Sequence, residues 1–174
     1  MQVFTLYLEI TLTLAAIFAL CLILTCFRRS PMYRPLLLAA SVVYVATLLF
    51  FTFVYGGRDG LTGIQLRVAF PLVKAAMNRT LGLYTSRSLL NLLLFFPLGY
   101  LLPQLAALRS NERLPMRWWQ ATLYGFGTTL LIETCQMTFH RGVFELDDLV
   151  KNTLGTLLGW CIWRLLDTMT HRKP

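Results

Sequence analysis

The chain has 174 residues, of which 56% are hydrophobic and only 14% charged, whereas soluble globular domains average nearer one quarter charged. That balance speaks against an ordinary soluble domain and for a membrane protein. The formal net charge of +8 raises the question of nucleic acid, but the Lys and Arg residues lie between apolar runs rather than on one stripe with aromatic platforms, so no nucleic-acid partner is expected.

Five apolar segments follow one another. The first covers about 6–27 and closes on Arg28-Arg29-Ser30-Pro31. No basic residue precedes it and Glu9 interrupts it, so it reads as a retained transmembrane helix rather than a cleaved signal. The second covers about 36–55 and ends at Gly56-Gly57. A connector, about 58–87, contains Phe70-Pro71 and an amphipathic stretch over 72–77. The third segment, about 89–108, holds Pro97, Gly99 and Pro103. A kinked span fits if neighbours satisfy the carbonyls that proline frees; a re-entrant pair of half-helices is the alternative. The fourth covers about 118–139 and the fifth about 149–166, which runs into the basic tail His171-Arg172-Lys173.

Each run approaches the roughly 20 residues that cross hydrocarbon as helix. The expected fold is therefore all-α, a polytopic membrane bundle of about five transmembrane helices in one domain, 1–174. Cys21, Cys26, Cys135 and Cys161 all fall inside apolar runs, without C-x-x-C or zinc-ligand spacing, and read as small hydrophobes. Arg28, Arg29 and Arg34, then Arg109, Arg113 and Arg117, then Arg164, Arg172 and Lys173 mark one side of the bundle. By the positive-inside rule that side is cytoplasmic, which leaves the N-terminus outside and the C-terminus inside. Trp118, Trp119, Trp160 and Trp163 fit an interfacial aromatic belt near that side.

The same topology gathers the polar residues near the outer surface. Asn91 opens the third segment, Glu133 and Gln136 close the fourth, and Asp147, Asp148, Lys151 and Asn152 open the fifth, with Arg141 in the short loop between. Ionisable groups at this depth are costly, which marks the cluster as the candidate site. Glu133 and Gln136 share a helix face. Asp148, Asn152, Gly155 and Gly159 form one stripe. The glycines would let another helix approach closely, and the fourth segment is the expected partner. Three chemistries suit the cluster: oxygen ligation of a hard cation, acid–base chemistry at Glu133 with Arg141 gripping a phosphate or carboxylate, or a polar pocket that binds without chemistry. Spacing does not separate them. His140 reads as an exposed loop residue, and Lys151 as a pairing or snorkelling side chain.

The pattern Asn91-x3-Phe95-x-Pro97-x-Gly99, then Glu133-x2-Gln136, Arg141, Asp147-Asp148, Asn152-x2-Gly155 and Gly159, resembles the VanZ-like family of bacterial membrane proteins. The resemblance covers about 70–163, the VanZ-like core, with 1–56 supplying two N-terminal helices. The connector lacks the Asn expected shortly before Pro71, and Glu145 stands where another acid is common. The resemblance implies a multi-pass protein of the bacterial cytoplasmic membrane; the founding member is linked with teicoplanin resistance. An envelope role follows as an expectation, with a lipid-linked cell-wall precursor or a glycopeptide as ligand and the lipid bilayer as partner. Glu133 and Asp148 are the candidate catalytic residues if the site is enzymatic. Asn91, Gln136, Arg141, Asp147 and Asn152 are the candidate ligand-binding residues, and Gly155 and Gly159 the packing residues. No cofactor or metal is assigned.

Overall fold

A computed structural model describes residues 12, 16–17, 19–21, 23–55, 63–66, 81–109 and 116–171. Glu9, Phe70, Pro71, the 72–77 stretch, Arg113, Arg172 and Lys173 lie outside the described residues.

The chain is mostly helical. The described residues between 12 and 26 are helical and form α1. A turn then leads into α2, Tyr33–Leu49, which continues as a π-helix over Phe50–Tyr55. The remaining helices are α3, Leu81–Arg109, α4, Trp118–Thr138, and α5, Leu146–His171. Two short strands, β1 (Ile64–Gln65) and β2 (Phe144–Glu145), pair in parallel, with the Phe144 N–H donating to Gly63 O at 2.9 Å. This small ladder carries part of the connector to the loop before α5 and was not expected from the sequence, because two residues carry no alternation.

Residues Tyr33–Phe53 and Ser88–Leu108 are each long and apolar enough to cross a membrane. α4 and α5 have the length, but polar and charged residues dilute their apolar character. The outer sides of α2 and α4 present Val42, Val43, Leu123, Tyr124 and Leu131, each at least half exposed. Such contiguous apolar surface suits hydrocarbon better than water. Threonines along the helices return their hydroxyls to the carbonyl one turn back, as Thr122, Thr128, Thr134 and Thr138 do in succession along α4 at 2.7–2.9 Å. This bonding lets a polar side chain sit on an apolar surface with its donor satisfied.

α3 is one continuous helix with Pro97 and Pro103 inside it, so the re-entrant alternative does not hold. Side chains from other helices reach the carbonyls around the first proline. Tyr44 Oη of α2 donates to Leu94 O at 3.1 Å, and Thr156 Oγ1 of α5 makes a long contact, 3.5 Å, to Phe95 O. Near the second proline, Gln104 Nε2 donates to Tyr100 O at 2.7 Å and its Oε1 accepts from Tyr33 Oη at 2.8 Å. The Tyr100 hydroxyl in turn meets Cys21 O and Thr25 Oγ1 of α1 at 3.2 and 3.1 Å.

The glycines decide the centre of the bundle. A Cβ on Gly155 would overlap Leu92 O, one on Gly159 would overlap Phe96 O, and one on Gly99 would overlap Thr156 O. α3 and α5 therefore touch backbone to backbone, as small residues permit. Their residue numbers rise together along the contact, so the two helices run parallel. The expected partner, α4, is instead met by the neighbouring stripe of α5: a Cβ on Gly125 would lie 2.6 Å from Thr156 Oγ1. The small-xxx-small spacing identifies a close-packing face but not which helix fills it. α5 is thus wedged between a parallel α3 and an antiparallel α4, with Phe95, Thr129 and Thr156 almost fully buried around it.

Candidate functional site

The site forms where α4 ends and α5 begins. α4 stops in a two-bond turn: Arg141 N–H donates to Gln136 O at 2.7 Å, and His140 N–H to Met137 O at 3.2 Å. That pattern is a Schellman ending, which places its C′ residue in the left-handed region. His140 occupies that position with φ 58°, although glycine is the usual choice. The turn projects an exposed Arg141 and returns the chain through β2 into α5.

Glu133, in the last turns of α4, is 4% exposed, and its Oε2 accepts from the Glu145 N–H at 3.0 Å. The carboxylate therefore sits at the positive N-terminal end of α5, where the helix dipole and open N–H groups favour an anion. Asp148 and Glu145 bring further negative charge close to it. At the same helix end Lys151 Nζ bonds Asp147 Oδ2 at 2.6 Å and approaches Asp148 Oδ1 at 3.7 Å. Lys151 is thus a pairing side chain, and Asp147 is nearly buried under it.

One turn further along α5, Asn152 is 5% exposed and its Nδ2 donates to Thr129 Oγ1 at 2.8 Å. Its Oδ1 is a buried acceptor with no partner among the described residues, which is uncommon in folded proteins. Gln136 turns the other way: its Nε2 donates to Thr52 O at 2.8 Å, inside the π-helix that ends α2. The carbonyls of a π-helix are displaced from the regular ladder, and Gln136 uses one of them to tie α2 to α4.

Of the residues singled out from the sequence, Glu133, Arg141, Asp147, Asp148 and Asn152 share this one junction. Gln136 borders it but faces α2. Asn91 is half-buried on α3, one turn before Phe95, and no hydrogen bond joins it to the cluster among the described residues. Gly155 and Gly159 lie below the cluster on the α3 face. Three contributors were not anticipated: Thr129, the backbone of Thr52, and the connector residues 63–66. Thr129 lies one helical turn before Glu133, and that spacing is the signal that could have found it. β1 places Gln65 opposite Glu145, so the connector borders the site despite its departure from the expected Asn-Pro pattern.

Chemically, the junction is a rigid arrangement of acids held by a helix end and a lysine. Arg141 lies at its surface on the turn that closes α4, and the buried Asn152 Oδ1 has no partner among the described residues. No curated protein and no solved structure matches the chain. The sequence profile of the family described as VanZ/LLP1 matches residues 12–167, which extends the likeness beyond the 70–163 core into both N-terminal helices. With nearly its whole length matched, the chain belongs to the VanZ/LLP1 family.

Proposed function

We propose that this is a multi-pass protein of the bacterial cytoplasmic membrane that binds or shields an anionic envelope ligand at the outer end of α4 and α5. The ligand class is a lipid-linked cell-wall precursor or a glycopeptide, and teicoplanin resistance is the phenotype to look for. The N-terminus is taken as outside and the C-terminus as cytoplasmic. The observation that carries the binding reading is how the acids are engaged. Glu133, Asp147 and Asp148 are held by a helix end and by Lys151, and Arg141 lies beside them at the surface on the turn that closes α4. A guanidinium held in place recognises a phosphate or carboxylate in two-pronged fashion. The open carbonyl oxygen of Asn152 offers a buried acceptor close by.

A second reading, a membrane-embedded hydrolase or transferase acting on a lipid or wall precursor, draws on the desolvated Glu133 carboxyl with Asp148 near it. Two carboxyls in unlike surroundings are a common acid–base arrangement.

The test is antibiotic susceptibility of a sensitive host expressing wild type, Arg141→Ala, Glu133→Gln or Asp148→Ala, with membrane levels checked by blot. The binding reading expects a teicoplanin-selective rise in resistance that Arg141→Ala removes and Glu133→Gln only lowers. Complete loss in Glu133→Gln at equal abundance favours the enzyme. No rise with wild type removes the resistance assignment.

A further inference from the structure

The end of the molecule away from Glu133 holds a second feature. An open cleft of about 370 Å³ is lined by Met116, Arg117, Trp118, Trp119, Trp160 and Arg164. Trp118 and Glu133 are fifteen residues apart on one helix, which separates the cleft from the acid junction by roughly 22 Å. Its floor is fixed by Trp160 Nε1, which donates to Met116 O at 2.9 Å, and by the α4 start, where Gln120 Oε1 accepts from the Arg117 N–H at 2.8 Å. Trp163 packs beside Trp160 with ring centroids 6.4 Å apart.

Charge makes the cleft more than an aromatic belt. Among the described residues two arginines line it and no carboxylate does. Arg164 lies 3.5 Å from Asp167, yet that same carboxylate bonds Arg28 in the turn after α1, so among the described residues one acid is shared by two guanidiniums. Arg117 is exposed at the rim. Trp118 and Trp119 are about half exposed beside it, as amphipathic rings are at headgroup depth.

We propose that this cleft seats the phosphate headgroup of an anionic phospholipid, gripped by Arg117 and Arg164, with the indoles of Trp118, Trp119 and Trp160 against the glycerol and upper acyl chain. The proposal rests on the membrane reading above but not on any ligand at the acid junction.

All four tryptophans of the chain lie at this end, so their fluorescence reports on it. The full-length protein is reconstituted in phosphatidylcholine vesicles containing either acyl-brominated phosphatidylglycerol or acyl-brominated phosphatidylcholine at equal mole fraction. Brominated phosphatidylglycerol is expected to quench at lower mole fraction, and Arg117→Gln to weaken that preference roughly five-fold. Arg164→Gln serves as the second variant, and unchanged quenching by brominated phosphatidylcholine shows that a variant has kept its fold. Equal quenching by the two lipids overturns the proposal, as does a preference that survives both substitutions. Removal of the preference by millimolar inorganic phosphate would make this a free-anion site and overturn the lipid assignment. No quenching by either lipid would sink the membrane reading itself.

Discussion

α5 meets its two neighbours in opposite ways. Against α3 it offers Gly155 and Gly159, receives Gly99, and brings backbone to backbone at these three glycines. Against α4 it offers Asn152 and the N–H at its start, and polar side chains from α4 come to meet them. The first contact depends on the absence of atoms and the second on the presence of particular ones. Size should therefore break the α3 contact whatever the chemistry, while the α4 junction should tolerate changes of size that keep its donors and acceptors.

The sharpest way to break the contrast is Gly155→Leu. No rotamer avoids the Leu92 carbonyl, so α3 and α5 must separate, at an expected loss of roughly 3 kcal/mol or more. Thermal unfolding of the purified protein checks this; a melting point equal to wild type would mean that the helices are not in backbone contact.

A smaller effect is expected at Glu133. Glu133→Ala leaves the Glu145 N–H without its acceptor and should cost about 1–3 kcal/mol. Glu133→Gln keeps an oxygen in place and should recover most of that. If the two variants unfold alike, the hydrogen bond contributes little and the junction is held by packing, as the α3 contact is.

The smallest effect concerns shape alone. His140→Gly relieves a left-handed conformation and should gain roughly 0.5 kcal/mol, partly offset by the freedom glycine adds to the unfolded chain. A stability loss would show that the imidazole makes a contact worth more than the backbone cost.

These contrasts also explain what could be read from residues alone. The meeting of Glu133 with the start of α5 was legible because only a short loop separates two apolar runs that must both end there. The α3–α5 pairing was not, since Gly-x-x-x-Gly describes one surface and is silent about its complement. The acceptor of Gln136 is hidden from the sequence for a related reason: Thr52 lies 84 residues away and is presented by a π-helix that no periodicity announces. The helix ends moved for a simpler cause. α3 begins at Leu81 and α5 at Leu146, ahead of their apolar runs, because a helix can continue through polar residues beyond the stretch that hydrophobicity marks.

The parallel arrangement of α3 and α5 has a consequence for how the chain is made. Leu92 finds Gly155 only after α4 has been synthesised and turned back, and Gly63 finds Phe144 only after both α3 and α4 have been made. Until then the face of α3 that carries Leu92, Phe96 and Gly99 lacks its partner, and the connector has no strand to join. During synthesis the α3 face toward α5 is expected to wait for its partner, and α5, which emerges after α3 and α4, is the helix that locks those two together. Substitutions in α5 should accordingly show themselves first as failures of assembly and rapid clearance of new chains, before any loss of activity per molecule can be measured.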